Sequence, residues 1–184
     1  MRFPVLGLLV LVVPVLAFAV PPRALAAQSA TQPARPDVMA LIRADQWSEA
    51  EAAAAEHADP VVGKLVTYFR LLAPGAASAR EIGRFMTENA DWPLQYLLAR
   101  RRDEALAAEA DDAAARAECA RATPRLAAAL LRCAAVASPA ERPHLAAEAW
   151  IAGPANAAWE ARFPPEDAAL LTAQDQWNRF AALA

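Results

Sequence analysis

Between Pro60 and Arg101 the chain carries three apolar-faced segments separated by turn and cap residues. In the first, Val61, Leu65, Tyr68 and Leu72 recur at steps of three and four, and Val62, Val66 and Phe69 fill the adjoining stripe. That spacing predicts a helix. Its apolar face is too wide for a surface helix, so a central position is expected. Asp59-Pro60 supplies an N-cap followed by proline at the first helical position, and Ala73-Pro74-Gly75 stops the run. Ser78-Ala79-Arg80-Glu81 reads as a capping box, Ser and Glu each satisfying the other's backbone N–H. Ile82, Phe85 and Met86 then face the core. Asn89-Ala90-Asp91 breaks this second helix and Trp92-Pro93 begins a third, with Leu94, Leu97 and Leu98 as its apolar face.

The remaining chain repeats the pattern. Pro36-Asp37 opens a short helix from Val38 to Ala44, and a second runs from Trp47 to His57. Its phrase Trp47-Ser48-Glu49-Ala50 resembles the first helix of a tetratricopeptide-type hairpin, without the 34-residue period of that repeat. Asp111 to Arg121 makes an alanine-rich helix. Thr123-Pro124 caps the following one, on which Leu126, Leu130, Cys133 and Ala137 fall on one side. Ser138-Pro139-Ala140-Glu141 reads as a second capping box. Leu145, Ala149 and Trp150 carry that helix inward until Gly153-Pro154. Trp159 and Phe163 anchor a short helix before Pro164-Pro165, and a last helix after Thr172 carries Trp177 and Phe180 three apart.

No segment alternates as a strand does. With 57% hydrophobic residues, abundant alanine and only five glycines, the composition favours helix. The expected fold is all-α. Helices of about 10 to 14 residues are marginal alone in water, and short connections make sequence neighbours antiparallel. Stacked antiparallel hairpins then form a partial α-superhelix, a tetratricopeptide-like solenoid in which each layer leans on the next. A compact bundle is the competing architecture.

Composition and charge set the compartment and exclude one partner class. Arg2, the uncharged run Phe3 to Val20 and the small-residue site at Ala24-Leu25-Ala26 read as a signal peptide over residues 1–26. If the segment is retained instead, its apolar run sits at the lower edge of a membrane span. Residues 27–36 read as a disordered linker and 37–184 as the helical domain. Cleavage removes two arginines and no acid, moving the formal charge from −3 to −5. The product is expected in the periplasm, and its acidic balance argues against nucleic acid.

An exported setting permits a disulfide between the two cysteines, Cys119 and Cys133. On consecutive helices turning at Thr123-Pro124, however, they are offset by about 9 Å at 1.5 Å per residue. A plain hairpin therefore favours two buried small side chains over a bond.

The chemistry-bearing residues are sparse. His57 and His144 are isolated and the cysteines have no C-x-x-C spacing, so neither a metal site nor a cofactor is expected. No G-x-S-x-G, P-loop or dinucleotide-binding fingerprint is present. Glu49, Glu51 and Glu56 read as a solvated helix face. Arg100, Arg101 and Arg102 form a basic cluster, read first as cations near a helix C-terminus and second as a contact for a carboxylate-bearing glycan.

From Val61 onward, the order of several phrases resembles the N-terminal superhelical region of soluble lytic murein transglycosylases of the alphaproteobacterial type. They are Tyr68-Phe69-Arg70, Glu81-Ile82-Gly83-Arg84-Phe85, Asp91-Trp92-Pro93 and Arg102-Asp103-Glu104-Ala105-Leu106. Further on come Leu130-Leu131-Arg132-Cys133-Ala134, Ala149-Trp150-Ile151 and Leu171-Thr172 with Asp175 and Trp177-Asn178-Arg179-Phe180. The resemblance implies a periplasmic protein associated with peptidoglycan. In that family a C-terminal lysozyme-like domain cleaves the glycan strands, with a catalytic Glu followed by Ser before a Gly-Leu-Met-Gln-type phrase. This sequence has neither phrase, so the resemblance carries over no catalytic residue. The chain is expected to be the non-catalytic helical part, as a fragment, a truncated product or a derived helical protein. The alternative is a periplasmic helical-repeat adaptor for a protein partner.

Overall fold

The computed structural model describes residues 37–184, so the expected signal segment 1–26 and the expected linker 27–36 lie outside the described residues. Eleven helices follow one another and no strand occurs among the described residues. They are α1 (Val38–Arg43), α2 (Trp47–Ala55), α3 (Pro60–Leu72), α4 (Ala79–Glu88), α5 (Gln95–Ala107) and α6 (Asp112–Arg121). After them come α7 (Ala127–Val136), α8 (Arg142–Ala152), α9 (Ala157–Arg162), α10 (Pro165–Ala168) and α11 (Ala173–Leu183). None is long and apolar enough to cross a membrane.

Local capping sets most of the starts. The carboxylates of Asp37, Asp59 and Asp111 each accept a hydrogen bond from the first turn of α1, α3 and α6. Ser78 and Glu81 close a capping box on α4. The backbone N–H of Ser78 is the chief reason the Glu81 carboxyl sits below its ordinary range, with Arg70 assisting. At α8 the expected box is only half made. Glu141 reaches back to the Ser138 N–H and hydroxyl, but its own N–H donates to the Ser138 carbonyl, and the helix starts after it.

Packing runs in sequence order. α2 lies on α3, α4 on α5, α6 on α7, and α8 against α7, α10 and α11, while α3, α5 and α7 touch successively as an inner row. This is the stacked arrangement the hydrophobic pattern predicts. The core is correspondingly divided into four local clusters rather than one, each spanning neighbouring helices. On the central helix α3, Val66, Tyr68 and Leu71 are buried, whereas Val61, near its N-terminus, stays half exposed. Around Tyr68 gather Phe69, Phe85 and Trp92, with ring centroids 5.0 to 6.0 Å apart. The Tyr68 hydroxyl donates to the Pro93 carbonyl at 3.0 Å.

Two further expectations need correction. Trp92 and Pro93 do not begin α5. Leu94 takes a left-handed conformation, φ 55°, which a leucine adopts only when its surroundings impose it. Here the Gln95 amide ties the turn by donating to the Asn89 and Trp92 carbonyls. Trp92 lies in this turn, half buried over Tyr68 and Phe85.

The second correction concerns the cysteines. Cys119 and Cys133 form a disulfide, their Cα atoms 5.8 Å apart. The connection is no tight hairpin at Thr123-Pro124. α6 ends at Arg121 and α7 begins only at Ala127, with Ala122 and Leu126 in extended conformation. Such a connector reaches about 3.3 Å per residue and absorbs the offset a hairpin would impose. It is pinned by the buried Asp103 carboxylate, which accepts from the N–H groups of Arg125 at 2.7 Å and Leu126 at 3.1 Å.

The sequence left the facing of α11 open. Its aromatic pair points outward, with Trp177 and Phe180 each 63% exposed. The helix docks instead through Arg179, its one buried residue. The guanidinium lies over the Trp150 ring and donates to the carbonyls of Trp150, Gly153 and Pro154, closing the C-terminus of α8 with a cation. Beside it Trp159 packs so closely on Gly153 that any Cβ there would run into the indole.

Candidate functional site

The three consecutive arginines of the sequence fall in the middle of α5, not in its last turn, because the helix continues to Ala107. A helix turns about 100° per residue, so they project in different directions. Arg101 crosses to α3, where its Nε donates to the Leu72 carbonyl at 2.8 Å. It does serve a helix C-terminus, but that of its neighbour. Its Nη1 also holds Glu104 at 2.6 Å. Arg100 pairs with the other oxygen of Glu104 at 3.0 Å. Hydrogen bonding from Arg101, then from Arg100, keeps the Glu104 carboxyl below its ordinary range. Arg102 donates through Nε and Nη2 to Asp103.

Arg102 divides two adjoining grooves. One, of about 530 Å³, lies between α4 and α6 and is lined by Arg80, Gly83, Arg84, Arg102, Glu118 and Arg121, among others. The second, of about 600 Å³, continues past α5 to the 123–126 connector and includes Tyr96, Arg100, Arg102, Asp103 and Arg125. Gln95 and Arg102 line both. Of the sequence-predicted arginines, the structure brings Arg100 and Arg102 to this surface and turns Arg101 away. It adds Arg80, Arg84, Arg121 and Arg125, which sequence reading missed. The signal for two of them was available: Arg80 and Arg84, four apart, share a face of α4. Nothing local announced that α6 and the connector would deliver the others.

The charge balance of the grooves differs from that of the chain. Six arginines line them against three carboxylates, Glu88, Asp103 and Glu118, whereas the chain as a whole is acidic. Asp103 and Glu118 are held by Arg102 and Arg121. The side chains of Arg80, Arg84 and Arg125 have no hydrogen-bond or ion-pair partner among the described residues. Their planar forks suit an oxyanion.

The histidines lie elsewhere. His144 is exposed and faces Glu148 at 3.3 Å, and His57 follows the end of α2. Among the described residues no three His, Cys, Asp or Glu side chains converge as metal ligands do.

Comparison with protein-family models, with curated proteins and with solved structures gives no match for this chain. What its structure defines is a class, an all-helical domain of about eleven packed helices. Within that class it is a disulfide-bonded stack, and such a bond belongs to an oxidising compartment.

Proposed function

We propose that this protein is an exported, non-catalytic helical module that holds or guides the glycan strands of peptidoglycan in the periplasm. The observation that carries the reading is the arginine-lined groove beside α5, which supplies cationic forks along an open surface of an otherwise acidic chain. Two further points support it. The Cys119–Cys133 bond fits an oxidising, extracytoplasmic setting. Two of the ordered phrases that resemble the superhelical region of lytic transglycosylases, Glu81–Phe85 and Arg102–Leu106, lie on α4 and α5, which line the grooves.

The test is co-sedimentation with purified cell-wall sacculi, using protein recovered from the periplasm of expressing cells. Binding that weakens with salt, without release of anhydro-muropeptides, is the expected result. Absence of sedimentation, or release of those products, overturns the reading. A helical adaptor for a protein partner is the second reading, favoured by the exposed Trp177, Phe180 and Leu183 on α11. It predicts that sacculi do not retain the protein.

A further inference from the structure

We infer that the two grooves meeting at Arg102 form one continuous track for a linear, carboxylate-bearing saccharide strand, with Tyr96 as a platform for a sugar ring. The choice of a saccharide rests on the function proposed above, whereas the requirement for an anion rests on the grooves themselves.

Continuity comes first. Gln95 and Arg102 line both grooves, so a ligand passing from the face of α4 to the 123–126 connector crosses the same two side chains. At each end stand arginines whose guanidinium groups have no partner among the described residues, Arg80 and Arg84 on α4 and Arg125 on the connector. Near the middle Arg102 keeps Nη1 free, because only its Nε and Nη2 are engaged by Asp103. A strand with anionic groups at intervals satisfies both ends, which a single small anion cannot.

The acceptors narrow the chemistry. Glu88 and Glu118 lie in the α4–α6 groove, and Gln95 spends its amide N–H groups on the Asn89 and Trp92 carbonyls, leaving Oε1 as an acceptor. Hydroxyl donors of a sugar suit these groups. A nucleic-acid strand, with a phosphate at every step, would meet the carboxylates unfavourably. Tyr96 is 74% exposed and borders the second groove. Its ring offers an apolar face with a polar edge, as a flat pyranose requires. Gly83 also lines the first groove, where a Cβ would stand at ordinary contact distance, 3.7 Å from Glu118 and 3.8 Å from Arg102.

The test is a nitrogen–proton correlation titration of the oxidised protein with oligogalacturonate, with a neutral chito-oligosaccharide of equal length and with inorganic phosphate. The amides of Gly83 and Tyr96 are expected to shift together, at one concentration, with oligogalacturonate only. Arg84→Glu and Arg125→Glu, at opposite ends and on exposed side chains, should each weaken binding at least tenfold while the rest of the spectrum keeps its dispersion. Equal affinity for the neutral sugar or for phosphate overturns the inference. So does binding unchanged in both variants, or a response of the two amides at separate concentrations. If sacculi still retain the doubly substituted protein, the inference fails and the proposed function stands. If oligogalacturonate binds and sacculi do not, the track stands and the proposed function fails.

Discussion

The layer built from α3, α4 and α5 and the layer that begins with α6 are held by different means. In the first, Tyr68, Phe69, Phe85 and Trp92 interlock edge to face, and Leu71, Ile82 and Leu98 are almost wholly buried beneath them. Such side chains contribute about 1.5–3 kcal/mol each when removed from water. In the second, α6 reads Asp-Ala-Ala-Ala-Arg-Ala-Glu-Cys-Ala-Arg, and its buried residues are Ala115 and Glu118. Alanine brings one methyl group, worth about 0.8 kcal/mol. What fastens α6 is the bond from Cys119 to Cys133, a donation from Arg116 to the Val136 carbonyl at 3.1 Å and the pairing of Arg132 with Asp112 at 2.7 Å. A covalent bond thus substitutes for apolar area where the sequence supplies little, as in small scaffolds with too little core. The substitution matters for the proposed function, because α6 forms one wall of the α4–α6 groove.

The contrast can be broken from either side. The largest effect is expected at Phe85, which is buried between Tyr68 and Trp92. Phe85→Ala should lower the unfolding free energy by about 4 kcal/mol in a urea titration. Trp92→Ala, at a half-exposed ring in the same cluster, should cost about 3 kcal/mol. A loss below about 1 kcal/mol at both sites would mean that aromatic packing does not hold this layer.

Replacing both cysteines by serine opens a loop with a sequence separation of 14. The expected loss is about 3 kcal/mol, chiefly through the unfolded chain. Asp103→Ala strands the N–H groups of Arg125 and Leu126 together with Arg102, and is expected to cost about 2 kcal/mol. In that variant the connector should exchange its amide protons faster than α3 does.

The smallest effect concerns the cap of α4. Ser78→Ala should cost about 1 kcal/mol. The folded carboxyl of Glu81 titrates below its ordinary value of 4.5, so its contribution is full above that pH and disappears as the pH falls through the folded value. The midpoint of thermal unfolding should therefore decline on acidification below about pH 4.5, and less steeply in Glu81→Gln. Identical acid slopes for the two proteins would remove the cap from the account.

The legible and illegible parts of the chain divide along the same physical line. Helix starts that depend on neighbours within three or four residues were readable, as at Asp59 and Ser78, because a cap is a local bargain between a side chain and the next turn. The succession of short helices was readable from apolar spacing, and the stacking followed from their length. The disulfide was not, since it depends on the path of residues 122–126, which a carboxylate some twenty residues earlier holds extended. Trp92-Pro93 resembled a helix start, yet side-chain hydrogen bonds from Gln95 shape a turn there instead. The groove was half legible. Arg100 and Arg102 were singled out as a cluster along with Arg101, but consecutive residues on a helix diverge, and the groove's other arginines come from α4, α6 and the connector. In Trp177 and Phe180 the sequence shows an aromatic pair without telling which way it faces, and the neighbouring Arg179 proves to be the anchor.

Amide hydrogen exchange of the oxidised and the reduced protein addresses the division most directly. On reduction, the amides of Asp112–Arg121 should lose protection while those of Pro60–Leu72 and Gln95–Ala107 keep theirs. Uniform loss across all three helices, or an α6 that exchanges no faster without its disulfide, would contradict the account.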